Sequence, residues 1–267
     1  MEALRELAKQ VEEQLRVSSY PLAVKLLEGE EEVPRHAKRP RRDLGFCLST
    51  CQAFAMSRRR GLTVAELKED MWCPEPVIGY GIEEAPDYFL QGHNRYPRDV
   101  ASLEAGATWA AREFPRLEAG RYVGVVSAPL ASAEFTPDVV MIYCNPAQLT
   151  LLLLGIAYRD GLDVASRLSG HAACVYAVVP PMKTGRCWVS TPCMGDRARA
   201  TAGDDEMIFS LPPEAAEDLL TGLRHIGETG RRVPFGRTLM PEYQMSESYC
   251  RIARMLGMRR ADGSEIR

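Results

Sequence analysis

The chain is organised around Cys47-Leu48-Ser49-Thr50-Cys51, which is followed twenty residues later by Trp72-Cys73-Pro74. A related stretch, Pro192-Cys193-Met194-Gly195-Asp196-Arg197, lies towards the other end. Thiolates are soft ligands that suit iron–sulfur clusters, zinc or Cu(I). We therefore expect sulfur atoms from these stretches to converge on one buried metal site. The candidate ligands are Cys47, Cys51, Cys73 and Cys193.

The spacing of these cysteines matches no compact metal-binding motif, because the sequence contains no Cys-x2-Cys. A free cysteine is also among the most buried residue types and behaves as a small apolar side chain. Inert core thiols and redox or nucleophilic thiols are therefore alternatives to metal ligation. Among metals, an iron–sulfur cluster such as 4Fe–4S is favoured, and zinc as a purely structural staple is the alternative.

Cys144 is a second candidate, because it ends a predicted strand directly before Asn145-Pro146. Asparagine is a good N-cap and proline suits the first helical position, so the thiol would lie at a helix N-terminus. The partial positive charge of a helix start lowers the pKa of a thiol. This predicts a metal-free enzyme or small-molecule-binding protein that uses Cys144 as its catalytic thiol. A packed, inert thiol is the other interpretation, so enzymatic activity is left open.

The Gly-Asp-Arg turn is a third candidate. Arg197 can bind a small anionic substrate while Asp196 orients the guanidinium. The alternative interpretation is that the two side chains form a structural ion pair that closes a loop.

Composition indicates one globular domain that neither spans a membrane nor binds nucleic acid. The 267 residues are 46% hydrophobic and 26% charged, with a net charge of −3. The longest apolar run, residues 149–157, is much shorter than the ~20 residues that cross a bilayer. With no apolar signal core at the N-terminus, we expect a cytoplasmic protein whose eight cysteines are reduced, buried or metal-bound. Homo-oligomerisation is left open.

Hydrophobic periodicity predicts helices over residues 2–16, 46–59, 100–113, 146–159, 213–224 and 241–256, and strands over 21–27, 121–128, 138–143, 173–179, 187–190 and 205–210. Residues 63–70 fit either a short helix or a strand. Cys47 and Cys51 would share one face of the second helix. The mixture lacks a β-α-β rhythm, which predicts an α+β fold with a mixed, largely antiparallel sheet. We expect one domain over residues 1–267, with the helix 241–256 packed on it.

Several residues of the chain together carry a resemblance to a known family. They are Cys51, Cys73 with Pro74 and Gly79, the Cys144-Asn145-Pro146 turn, Cys174, and residues 192–197. Over residues 20–226 the chain resembles the family catalogued as domain of unknown function 169. That family is found mainly in archaea and in anaerobic or metal-dependent bacteria. The resemblance therefore implies a cysteine-lined site with an oxygen-sensitive cofactor in a cytoplasmic α+β protein.

Taken together, these patterns predict an iron–sulfur protein with a redox or accessory role in anaerobic-type metabolism. It would exchange electrons with a redox partner protein. Cys51, Cys73 and Cys193 are the principal predicted ligands, with Cys47 or Cys144 as the fourth. An open iron position could act as a Lewis acid on a small anionic substrate held by Arg197.

Overall fold

Six antiparallel strands form the centre of the protein in a computed structural model that describes residues 1–236 and 239–266. They are β1 Leu22–Leu27, β2 Val64–Leu67, β3 Gly124–Pro129, β4 Val139–Cys144, β5 Trp188–Ser190 and β6 Met207–Leu211. Their order across the sheet is β2-β3-β1-β4-β6-β5, and each neighbouring pair is antiparallel. The prediction of an α+β fold with a largely antiparallel sheet is confirmed.

The sheet has two buried faces, and the central strand β4 shows how its side chains divide between them. Successive side chains of a strand point to opposite faces. Met141 and Tyr143 pack into one apolar cluster, on what we call the front face. Ile142 and Cys144 pack into the other cluster, on the back face. Both faces must therefore be covered by helices.

The helices are α1 Glu2–Gln10, α2 Thr50–Arg60, α3 Pro74–Gly79, α4 Asp87–Leu90, α5 Leu103–Thr108, α6 Pro146–Ala157, α7 Ala173–Thr184, α8 Met194–Arg199, α9 Ala216–Glu228 and α10 Glu247–Met255. The apolar cluster of the front face includes side chains from α2, α3 and α7. The cluster of the back face includes side chains from α1, α6 and α9. The sheet is thus enclosed between two layers of helices.

The strand predicted over residues 173–179 is wrong, because this segment begins the helix α7, Ala173–Thr184. Residues 173–181 are buried on every side, so the apolar run shows no helical stripe. A short, continuous apolar run cannot be assigned to strand or helix by periodicity alone. Pro180 and Pro181 lie in the second half of the helix, and Gly185 ends it with a positive φ of 64°.

The expectation that Cys47 and Cys51 share a helix face is also wrong. The helix α2 begins only at Thr50, after Ser49 as the extended N-cap residue. The Ser49 N–H donates to Oε1 of Gln52 at 3.0 Å, which is half of a capping box. Cys47 therefore precedes the helix, and its neighbour Leu48 pairs with the segment before Cys73 instead.

The turn between β4 and α6 forms as its sequence predicts. The Asn145 side chain accepts a hydrogen bond from the Gln148 N–H at 2.9 Å, and the Gln148 side chain accepts from the Asn145 N–H at 2.7 Å. Pro146 occupies the first turn, where its missing N–H leaves no helical bond unmade. Cys144 consequently ends a strand immediately before a well-capped helix.

The chain divides into two compact units, residues 1–233 and 234–267, and each is described by itself. The sheet belongs to the first unit, and α10 belongs to the second. The expectation of one domain with residues 241–256 packed on it stays a prediction. Among the described residues, no helix is both long and apolar enough to cross a membrane.

The helices α6 and α9 approach so closely on the back face that only glycine fits between them. A Cβ atom built on Gly222 would lie 1.9 Å from the carbonyl oxygen of Gly155. Because that oxygen is backbone, it cannot move aside without shifting a helix. The contact therefore fixes the spacing of two helices that cover the sheet.

We predict that Gly222→Ala lowers the free energy of unfolding by about 1–3 kcal/mol, the usual range for overpacking a buried contact. Urea denaturation followed by circular dichroism measures this change. Gly170→Ala is the matched control, because a Cβ there has no neighbour within 4 Å. Equal stability of Gly222→Ala and the wild type would contradict the close approach.

Candidate functional site

Four free thiols come together on the front face: Cys51, Cys73, Cys174 and Cys193. The thiol of Cys51 interacts directly with the sulfur atoms of both Cys174 and Cys193. Cys73 lies near enough to Cys174 and Cys193 to be affected by their charge. Cys51 and Cys174 are buried, whereas Cys73 and Cys193 are half-buried and reach solvent. One site thus collects four sulfur atoms from distant parts of the chain.

Each of these cysteines lies at the start of a helix. Cys51 and Cys174 are the second residues of α2 and α7. Cys73 and Cys193 are the residues directly before α3 and α8. The first N–H groups of a helix have no partner within it and carry a partial positive charge. The site is therefore lined by groups that favour anionic sulfur.

The sulfur of Cys193 is the best stabilised anion of the four. It accepts a hydrogen bond from the Asp196 N–H at 3.4 Å. The Cys51 thiol and the backbone N–H groups of Ala173 and Gly195 also lie near enough to stabilise the anion. Together these interactions outweigh burial and lower the pKa of Cys193 to about 5. Cys193 is thus a thiolate at neutral pH.

The other three thiols stay protonated in the absence of a bound cation. Hydrogen bonds to Cys174 and Cys193, together with burial, raise the pKa of Cys51 well above its ordinary value. The bond with Cys51 favours the Cys174 thiolate, but burial and the Cys193 charge raise the pKa of Cys174 overall. Burial raises the pKa of Cys73 to about 12. The metal-free site therefore holds one thiolate and three thiols.

A buried guanidinium, Arg58, connects the segments that carry Cys51 and Cys193. Arg58 lies on α2, and its Cζ is 3.9 Å from the ring centre of Tyr143. The Tyr143 hydroxyl donates to Asp196 on α8 at 3.0 Å. Burial raises the pKa of Asp196 to about 7 although the Arg58 charge opposes this. This network positions the helices α2 and α8 against β4.

A second buried guanidinium, Arg95, connects the segments that carry Cys73 and Cys174. It donates to Oε1 of Glu75 on α3 at 2.6 Å and to Nδ1 of His171, just before α7, at 2.9 Å. It also pairs with Asp99 at 3.2 Å and stacks on Trp109 at 4.0 Å. Because Nδ1 of His171 accepts, the imidazole is neutral with its proton on Nε2. Burial, followed by the Arg95 charge, lowers the pKa of His171.

The predicted anion-binding pair, Asp196 and Arg197, is divided between two structural roles. The Arg197 guanidinium donates to the carbonyl oxygens of Gly203 and Glu206, the latter at 3.3 Å. The Asp196 carboxylate accepts from Tyr143 instead. Within residues 1–236 and 239–266, no hydrogen bond or ion pair joins the two side chains. Anion binding by this pair stays a prediction.

The remaining candidate thiols lie elsewhere. The Cys47 sulfur donates to the carbonyl of Glu69 at 3.4 Å, and no interaction with the four clustered thiols is recorded for it in the described residues. Cys144 points to the back face of the sheet, away from the cluster. Burial and the charge of Glu206 raise the pKa of Cys144 to about 12, so the expected lowering by the helix start does not occur. Its assignment as a catalytic residue stays a prediction.

No three His, Cys, Asp or Glu side chains among the described residues are arranged to hold a single metal ion.

The sequence patterns missed three members of the site. Cys174 occurs in the family-like pattern but was assigned to a strand. Arg58 and Arg95 have no distinguishing local pattern, because their partners are distant in sequence.

Comparison with known proteins now identifies the chain as a member of the DUF169 family, described as an uncharacterised ArCR family. The family profile matches residues 10–222. An uncharacterised protein of Methanocaldococcus jannaschii is 24% identical over 224 residues, which cover 83% of this chain and 94% of that protein. No solved structure matches the chain. The match thus confirms the resemblance and adds no activity to it.

We predict that Cys193 of the metal-free protein reacts with iodoacetamide at a nearly constant rate between about pH 6 and pH 8, because it is already a thiolate. Cys73, which is also half-buried, should react about tenfold faster for each unit of pH, because its thiolate fraction rises in that proportion. Peptide mass mapping measures both rates in one sample. A tenfold rise per pH unit at Cys193 would show that its sulfur is not ionised.

We predict that Arg95→Met lowers the free energy of unfolding by about 3 kcal/mol, because it leaves the Glu75 carboxylate, which is only 19% exposed, without its cation. Arg98→Met is the control, since Arg98 is 75% exposed and its pairing with Asp99 contributes about 0–1 kcal/mol. Chemical denaturation measures both variants. If the two substitutions cost the same, Arg95 does not have the connecting role described above.

Proposed function

We propose that Cys51, Cys73, Cys174 and Cys193 hold an iron–sulfur cluster, in a protein with a redox or accessory role in anaerobic-type metabolism. The observation that carries this proposal is the meeting of four thiols from four helix starts in one neighbourhood. Cys174 takes the fourth position, which the sequence left to Cys47 or Cys144. When bound, the cluster would supply one-electron transfer or, at an open iron position, a Lewis acid.

The donor set of four cysteine sulfurs suits an iron–sulfur cluster, and the same set also suits a structural zinc ion. A structural zinc ion needs four ligands arranged tetrahedrally around one point. The described residues contain no such group, yet the four sulfur atoms interact as neighbours. A polynuclear cluster spaces its ligand sulfurs more widely than one ion does, so the sulfur atoms that are in direct contact would have to move apart to hold it. The proposal is a 4Fe–4S cluster, with zinc kept as the alternative.

The protein groups around the sulfurs supply what an anionic cluster requires. Backbone N–H groups of Ala173, Gly195 and Asp196 already lie near the Cys193 sulfur. Hydrogen bonds to ligand sulfurs stabilise the anionic state and set its reduction potential. Cys51, Cys73 and Cys174 must lose their protons when metal binds. Metal binding therefore becomes more favourable as the pH rises.

A metal-free thiol function is the second candidate, and the state of Cys193 favours it. A low-pKa thiolate that lies beside a protonated thiol is the arrangement of a dithiol redox pair. Oxidation of the Cys193 thiolate and the Cys51 thiol to a disulfide would release two electrons and one proton to an acceptor. Cys193 would then replace Cys144 as the reactive thiol.

We predict that protein purified and reconstituted without oxygen is brown and contains iron and acid-labile sulfide. Replacing any one of the four cluster cysteines by serine should reduce the bound iron by half or more, because serine lacks the soft sulfur donor. Cys144→Ser and Cys187→Ser are matched controls, since both thiols are buried on the back face. Iron, sulfide and zinc analysis measures all six variants.

Each outcome of that experiment selects one function. A colourless protein without iron or sulfide would contradict the cluster. Stoichiometric zinc bound through the same four cysteines would select the structural alternative. A metal-free protein that forms a Cys51–Cys193 disulfide on oxidation would select the dithiol function.

A further inference from the structure

Large apolar side chains are exposed beside the two half-buried cysteines. Trp72, next to Cys73, is 77% exposed, and Met194, next to Cys193, is 80% exposed. Phe46 is 55% exposed. Exposed apolar groups of this size, gathered at one place, mark interaction sites rather than ordinary surface. We call Phe46, Trp72 and Met194 the rim.

The rim residues belong to segments that meet at the opening of the cysteine site. The Leu48 N–H donates to the carbonyl of Asp70 at 3.0 Å, and the Trp72 N–H donates to the carbonyl of Leu48 at 2.7 Å. The segment with Phe46 therefore lies along the segment that leads into Cys73. Cys193, which precedes Met194, is close enough to Cys73 to raise its pKa. The rim residues therefore belong to segments that adjoin Cys73 and Cys193, the two thiols that reach solvent.

A basic loop is hydrogen-bonded to Asp70, two residues before Trp72. Residues 35–43 carry a net charge of +4 in a chain whose net charge is −3. Arg39 donates to the Asp70 carboxylate at 2.5 Å, and the Arg41 N–H donates to its other oxygen at 3.0 Å. The Arg41 side chain itself is exposed. Arg39 is neutralised by Glu69 and Asp70, and Arg42 pairs with Asp43. Among the described residues, the cations of the loop without an ion-pair partner are Arg35, Lys38 and Arg41, and a negatively charged partner would meet these.

We propose that the rim and the basic loop form the docking surface for a small acidic electron-carrier protein. This inference rests on the proposed function, because it assigns the redox partner of the same site. One electron would pass from the reduced carrier to the iron–sulfur cluster proposed for the four cysteines, so the carrier would be oxidised by one electron and the cluster reduced by one. No covalent bond forms or breaks in this step.

An acidic protein explains both parts of the surface. The basic loop would steer the encounter with a negatively charged partner, and the exposed tryptophan and methionine would form its apolar centre. Cys73 and Cys193 are the thiols that reach solvent, so a carrier seated on the rim comes nearest to the sulfur atoms. Exposed aromatic rings beside cations also suit base stacking, so binding of a single-stranded oligonucleotide in place of an acidic protein would overturn this docking surface.

The test uses the full chain and an acidic plant-type [2Fe–2S] ferredoxin as the probe. Isothermal titration calorimetry at low salt and at about 0.15 M salt, where the Debye length is about 8 Å, measures affinity and its salt dependence. We expect micromolar binding that weakens with salt. Trp72→Ser and Arg41→Glu should each weaken binding about tenfold, the scale of a lost contact at an interface. Leu154→Ser and Arg5→Glu on helices that cover the back face are matched controls and should bind as the wild type does.

The outcomes separate this inference from the proposed function. Iron and sulfide are measured in every variant, so a rim variant that keeps its cluster and loses ferredoxin binding supports the docking surface. Wild-type protein that does not bind ferredoxin, or rim variants that bind it like the controls, would overturn the docking surface even if iron is present. Binding to anionic phosphatidylglycerol vesicles in place of ferredoxin would overturn it in favour of a membrane. If the protein contains no iron but binds ferredoxin in a way that depends on salt and on the rim residues, only the iron–sulfur cluster is overturned.

Discussion

The front face depends on two buried cations and on the groups that compensate them. A guanidinium removed from water costs several kcal/mol unless its hydrogen bonds and charge are matched. Arg58 is matched by the Tyr143 ring and by Glu206, and Arg95 by Glu75, Asp99 and the ring of Trp109. The charge of each cation is compensated only if particular helices lie at particular distances, and Nε of both arginines stays without a hydrogen-bond partner. The contacts of Arg58 and Arg95 therefore fix the positions of the segments that carry the four cysteines.

The two networks divide the site between them. Arg58 acts on the helices of Cys51 and Cys193 through Tyr143, whereas Arg95 acts on the segments of Cys73 and Cys174 through Glu75 and His171. Neither cation contacts a cysteine sulfur among the hydrogen bonds of the described residues. Their effect is orientation, in the way that outer groups orient ligands at a metal centre. Such groups are invisible to a motif search, because they bring together residues that lie far apart in the sequence.

Local rules predicted the parts of the fold that local chemistry determines. The Asn145-Pro146 start of α6 and the alternation of β4 side chains between the two faces of the sheet both follow from short-range geometry. The same alternation explains why Cys144 could not join the site: its neighbour Tyr143 points to the front, so Cys144 points to the back. The helix α7 was missed because burial on all sides removes the periodicity that identifies a helix. The meeting of Cys51, Cys73 and Cys193 was expected, whereas the joining of Cys174 required the three-dimensional fold.

The protonation state of the four cysteines explains how their sulfur atoms can lie close together without a cation between them. Four thiolates in one buried neighbourhood would repel each other strongly, so three of them keep their protons and only the Cys193 sulfur is ionised. That single charge is balanced by backbone N–H groups, and the surrounding helices are fixed by Arg58 and Arg95 rather than by a metal. In a small zinc domain, by contrast, metal binding itself supplies the folding energy. Here the sulfur atoms are oriented in advance, so a cation bound at the proposed site would exchange for protons at sulfur atoms that the fold already holds in place.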